Sequence, residues 1–168
     1  MAANTQGLNN TLRAEFIRSP ARETRGYKLF VKPVELATER RTQFLDITAD
    51  VNGIIRESGI QCGLVHIQSL HTTTGLFLGE WQNALLCDME DFLQRLVIRD
   101  LNWRHNNAAY SDCDRSNADS HLRGLLVGAT VSVQVSGRAA ILGRWQRILL
   151  AEFDGPRTRS VSVQVTGV

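Results

Sequence analysis

Apolar and polar positions alternate along this chain with two different periods, and the changes of period mark its elements. Residues 27–31 and 42–47 are short apolar-rich runs of strand character. At Ile47, Val51, Ile54 and Ile55 the spacing becomes four, seven and eight. That pattern predicts a helix capped by Asp46 or Thr48 and stopped by Gly59. Cys62–Ser69 returns to β character and runs into His71-Thr72-Thr73-Thr74, and residues 75–78 predict a further strand. Leu85, Leu86, Met89, Phe92, Leu93 and Leu96 lie at helical spacing and predict a long amphipathic helix over residues 83–96. Residues 98–116 are polar and aperiodic, and a loop of that length inside a domain is usually functional or disordered. Ser116 or Asn117 then caps a helix reaching Gly128. Its Leu122, Leu125 and Leu126 form a stripe with His121, so this face is expected to lean on a sheet.

The last quarter is β-rich. Residues 131–135 alternate strictly, Ser136-Gly137-Arg138 turns the chain, and residues 139–142 return. Residues 147–153 and 158–164 predict another pair, closing around Asp154-Gly155-Pro156-Arg157. Val-Ser-Val-Gln-Val occurs at both 131–135 and 161–165, as two half-buried antiparallel strands produce without any internal repeat. The class expected is α+β, an antiparallel-rich sheet with helices packed on one face. Residues 1–24 are polar and unpatterned and read as a flexible extension, with a single domain over residues 25–168.

Composition narrows the function classes. With 168 residues, 43% hydrophobic and 21% charged, the chain can bury a core without disulfides. Its apolar runs fall far short of the roughly 20 residues of a membrane span. A net charge of +2 gives no argument for nucleic acid as a partner. Cys62, Cys87 and Cys113 are widely spaced and odd in number, and no signal segment is visible, so a cytoplasmic location is expected. Of 19 basic residues only Lys28 and Lys32 are lysine. Arginine offers a rigid fork for phosphates and carboxylates, although GC-rich coding produces the same skew.

Four histidines are present. Strand alternation puts Val65, Ile67, Ser69 and His71 on one face, with His71 at the strand end where side chains reach a site; His66 lies mid-strand as a packing or surface residue. His105 follows Trp103-Arg104 in the polar loop, and His121 opens a helix. The spacing of these three matches no short metal signature. Each alone is a satisfied structural histidine; together, at a strand end, a loop and a helix start, they offer imidazoles suited to zinc with an open position for water. Among the acids, Asp119 sits in a first helical turn, where the helix dipole already favours it. Glu152 and Asp154 share a strand face and flank a turn with Arg157 and Arg159, an arrangement that suits either a phosphorylated ligand or a salt-bridged surface hairpin. Cys113 shares the polar loop with His105, with no sign of an activated thiol. No P-loop, dinucleotide fingerprint or nucleophile elbow is present.

Five ordered segments carry a resemblance. They are His71-Thr72-Thr73-Thr74-Gly75-Leu76, Trp103-Arg104-His105-Asn106, Asn117-Ala118-Asp119-Ser120-His121-Leu122, Leu142-Gly143-Arg144-Trp145-Gln146-Arg147-Ile148, and Glu152-Phe153-Asp154-Gly155-Pro156-Arg157-Thr158-Arg159. Together they resemble the YjbQ/UPF0047 family from about Arg25 to Gly167. The chain departs from the family where Leu78-Gly79-Glu80-Trp81-Gln82 replaces an Asn-Glu-rich continuation, and only Glu80 matches there. The resemblance implies an α+β homotrimer with a histidine-lined pocket and an activity labelled secondary thiamine-phosphate synthase. That reaction joins a pyrimidine diphosphate to a thiazole phosphate. By position, the resemblance makes His71, His105, His121 and Glu152 the catalytic candidates and the three histidines the ligands of a divalent metal, zinc or magnesium. It makes Thr72, Thr73, Asn117, Asp154, Arg157 and Arg159 the residues that meet a small phosphorylated molecule. A metal-dependent hydrolase or lyase, and a non-enzymatic binder of a phosphorylated ligand, are the alternatives.

Overall fold

Strand β1 (Lys28–Ala37) is followed by β2 (Gln43–Asp46), helix α1 (Thr48–Ser58), β3 (Cys62–Ser69), β4 (Thr74–Glu80) and α2 (Asn83–Leu96). A single 3-10 turn (Arg104–Asn106) leads to α3 (Ala118–Val127), and β5 (Thr130–Ser136), β6 (Ala139–Ala140), β7 (Gln146–Glu152) and β8 (Thr158–Gly167) complete the order. The computed structural model describes residues 26–168, so the extension expected over residues 1–24 lies outside it.

The strands form two antiparallel sheets, one ordered β1-β8-β3-β5-β6 and the other β2-β7-β4. The class is therefore the α+β, antiparallel-rich one expected, but the expected pairing of β7 with β8 does not occur. β7 lies between β2 and β4 in the small sheet, whereas β8 lies between β1 and β3 in the large one. Their burial explains the separation. Ile148, Leu149, Leu150 and Ala151 are all fully buried, so β7 is covered on both faces. In β8 the alternation is strict, with Arg159, Val161, Val163 and Val165 buried and the residues between them only half-buried. The segment 153–157 thus carries the chain from one sheet to the other.

The inner face of the large sheet presents Val65, Ile67, Val131, Val133, Val135, Val161, Val163 and Val165. It packs against Leu76, Ile148 and Leu150 of the small sheet, and α1 closes one end with Val51, Ile54 and Ile55. Each such side chain, fully buried, contributes roughly 1.5–3 kcal/mol. The other face of the small sheet, with Phe44, Ala151 and Phe153, is covered by Leu86, Met89 and Leu93 of α2 and Val127 of α3. His66 lies on the outer face of the large sheet and bonds the Ser132 hydroxyl through Nδ1 at 2.9 Å.

Local signals set the helix ends. The Asp46 carboxylate accepts from the Thr48 amide at 2.9 Å, while the Thr48 hydroxyl accepts from the Ile148 amide and ties α1 to β7. Gly59 ends α1 in the left-handed region at φ 70°. Helix α3 departs from the expected orientation. Leu125 and Leu126 are 77% and 55% exposed, and the buried face is Ala118, Asp119, Ser120, Arg123 and Gly124. Close approach is the reason. A Cβ on Gly124 would lie 2.9 Å from the Thr72 carbonyl oxygen, and one on Gly75 would lie 2.5 Å from Val127 Cγ1. The close approach at Gly124 and Gly75 leaves no room for a leucine at that contact, and Leu125 and Leu126 face away.

Candidate functional site

Four pieces of backbone meet where β7 crosses to β8: the turn after β3, the start of α3, residues 153–157 and the start of β8. Between them lies a cavity of about 770 Å³. His71, Thr72, Thr73, Asn117, His121, Asp154, Arg157 and Arg159 line it, and so do Arg115 and Cys113.

The floor is a buried ion pair. Glu152, fully inaccessible, receives Arg159 through Nε and Nη2, both at 2.5 Å. The same carboxylate accepts from the Thr38 hydroxyl at 3.1 Å and from the backbone amides of Phe153 and Asp154 at 2.9 and 2.8 Å. Arg159 Nη2 also donates to the Thr73 hydroxyl at 3.0 Å. Glu152, counted among the catalytic candidates, is therefore saturated with donors behind the wall and holds Arg159 in place. Gly155 permits this packing, since a Cβ there would lie 2.3 Å from the Arg40 carbonyl oxygen.

Asp154 is the second hub. Its Oδ2 accepts from Arg157 Nη2 and Asn117 Nδ2, each at 3.0 Å, with Arg115 Nη1 at 3.9 Å. Its Oδ1 meets Arg41 Nη1 at 3.4 Å. Asp119 is fully buried between Arg41 at 3.1 Å and Arg123 at 3.5 Å, so an ion-pair network accounts for it beyond any helix-dipole effect. Burial holds the Arg123 guanidinium below its ordinary value.

The histidines occupy two places. His71 Nε2 accepts the Ser160 amide proton at 2.8 Å. Burial, then the Arg159 charge, lowers its pKa from 6.5. His121 packs edge-on against His105 with ring centroids 4.9 Å apart, and burial followed by His105 lowers its pKa from 6.5. His105 stands behind, its Nε2 3.1 Å from Asn117 Oδ1. The Asn117 amide nitrogen faces Asp154, so its oxygen is the acceptor and His105 Nε2 carries the proton. Asn117 precedes α3 at the cap position but makes no capping bond, because its side chain is committed to His105 and Asp154.

The expectation of a three-histidine metal centre is not met by this geometry. Among the described residues no three His, Cys, Asp or Glu side chains gather as a metal-binding group. His105 and His121 are adjacent, whereas the His71 Nε2 lone pair is spent on a backbone amide. Glu152, Asp154 and Asp119 all face arginines. Thr38, Arg41 and Arg115 had no sequence signal. They lie outside the ordered motifs, two of them in the short connection before β2, and an arginine-rich chain gives single arginines no contrast.

Residues 32–168 match the profile of the family described as UPF0047 protein YjbQ-like. The chain belongs to this family. A UPF0047 protein of Methanothermobacter thermautotrophicus is 38% identical over 140 residues, covering 83% of this chain and 94% of that protein. A UPF0047 protein of Archaeoglobus fulgidus is 40% identical over 129 residues, covering 77% and 95%. In three dimensions the chain is similar to a YbjQ-like protein of unknown function from Sulfolobus solfataricus. That comparison gives a TM-score of 0.79 and 28% identity over 85% of this chain and all (100%) of that one. A hypothetical protein from Aeropyrum pernix gives a TM-score of 0.75 and 32% identity over 83% and 99%. The described residues of this family member form two antiparallel sheets with three helices, and among them no helix is long and apolar enough to cross a membrane.

Proposed function

We propose that the cavity binds a small phosphorylated molecule and that its chemistry is group transfer of the thiamine-phosphate-synthase type. The observation that supports this is the charge arrangement. Arg115, Arg157 and Arg159 all reach one cavity, and Arg115 and Arg157 share the single Asp154 carboxylate with Arg41. A guanidinium fork is suited to phosphate oxygens. In the transfer, a thiazole nitrogen donates its lone pair to the pyrimidine methylene carbon while the bond from that carbon to diphosphate oxygen breaks. The leaving diphosphate takes the electron pair, and arginines positioned on it stabilise that charge most as the bond breaks. No proton has to be removed, which suits imidazoles whose surroundings favour the neutral form. The donor set forms no cage for a divalent ion, so no step is routed through one. A hydrolase built on three metal-bound histidines finds no support in this geometry.

The proposal extends to a homotrimer and a cytoplasmic location. Exposed Phe92, Leu96, Leu125 and Leu126 support the first, since copies of the chain can cover them. The free thiols of Cys62, Cys87 and Cys113 support the second.

The deciding experiment incubates the purified protein with hydroxymethylpyrimidine diphosphate and thiazole phosphate and measures thiamine phosphate and released diphosphate. The expected result is equal formation of the two products, reduced on the order of a hundredfold by Arg157→Ala. Thermal stabilisation by diphosphate with no product reduces the reading to a binding protein, and no stabilisation removes it.

A further inference from the structure

Two of the groups that line the cavity, His71 and Arg159, carry a more specific consequence. His71 follows β3, and one bond holds its backbone while another holds its ring. Its backbone amide donates to the Ser69 hydroxyl at 3.3 Å, and its Nε2 accepts from the Ser160 amide at 2.8 Å. A backbone N–H is always a donor, so Nε2 must hold a lone pair. In a neutral ring the proton then resides on Nδ1, the nitrogen left for the cavity that His71 lines. Arg159, one residue before Ser160, is constrained in the same way. Its Nε and Nη2 are taken by Glu152 and Thr73, which leaves Nη1 free to face the cavity.

We propose that His71 Nδ1–H and Arg159 Nη1 form a rigid donor pair for phosphate oxygens, with His71 acting as a neutral hydrogen-bond donor and not as a base. The Ser160 amide and Glu152 are the positioning groups. Because both donors are fixed before the ligand arrives, little ordering is lost when a phosphate oxygen binds. Burial, then the Arg159 charge, lowers the pKa of the imidazole, in keeping with a donor of this kind. Such a pair accepts an unprotonated phosphate oxygen and rejects a group that offers only N–H or O–H donors. The inference rests on the phosphorylated-ligand reading for its ligand, but the tautomer can be read without one.

The test is proton–nitrogen correlation NMR on the intact protein, whose four histidines make the imidazole region simple. His71→Gln assigns the His71 signals by their disappearance. The expected result at neutral pH is a protonated Nδ1 and a bare Nε2 for His71, the reverse of the tautomer favoured by free histidine. Addition of inorganic diphosphate is then expected to shift the Nδ1–H and Arg159 Nη1 signals. An Nε2–H tautomer or an imidazolium overturns the proposal while leaving phosphate binding open to its own assay. Diphosphate that shifts the Arg157 side chain and raises Tm without moving His71 also overturns it, and the phosphorylated-ligand reading survives. Diphosphate that neither raises Tm nor shifts any of these groups overturns both.

Discussion

At the residue scale the site is a set of charges that hold one another. Glu152 accepts five hydrogen bonds from three directions, and the Arg159 beside it is only 4% exposed, so both charges depend on each other for compensation. Glu152→Gln preserves shape but leaves the Arg159 charge uncompensated in the interior. The variant is expected to lose about 3–5 kcal/mol of stability, read as a lower urea midpoint at unchanged m-value. Retention of wild-type stability would show that Arg159 relaxes toward the cavity. Of these side chains, His71, Asp154, Arg157 and Arg159 were legible because they sit in motifs, with the strand end and the turn marking their places. Thr38 and Arg41 were not. Their partners lie 114 and 113 residues away along the chain, and no local pattern records so distant a contact.

At the element scale, periodicity worked where one side of a segment is buried and failed where both sides or neither rule applies. The span Asn83–Leu96 of α2 was read in full from six apolar positions. In β7 the unbroken run Ile148-Leu149-Leu150-Ala151 already differed from the alternation of β8, and this difference separates a strand covered on two faces from one covered on one. Helix α3 misled because its buried face is small and ionic, and only the glycine at its contact with β4 hinted at that. Gly124→Ala is the corresponding test. The added methyl meets backbone oxygens of Thr72 and Thr74 at 2.9 and 3.1 Å, and these have little room to yield. A loss of about 1–3 kcal/mol is expected. Because the displaced backbone carries His71, the diphosphate-induced rise in Tm should shrink as well. A variant as stable as wild type and equally responsive would show that α3 is free to shift outward.

At the scale of the whole molecule, α2 and α3 leave four apolar groups outside, Phe92, Leu96, Leu125 and Leu126, each more than half exposed. Under the proposed trimer these are subunit contacts. Leu125→Asp combined with Leu126→Asp is expected to move the mass in sedimentation equilibrium from three chains to one, with the monomer fold retained by circular dichroism. A trimer that persists places the contact on another face. The large sheet has a further consequence, for how the chain is made. Among the described residues β1 is paired only to β8, and β8 is the strand that separates β1 from β3. On the ribosome β1 therefore emerges early and has no strand partner until Thr158–Gly167 has cleared the exit tunnel. For most of synthesis its apolar Phe30, Val34 and Leu36 are open to chaperones, and the sheet closes only when β8 enters between β1 and β3.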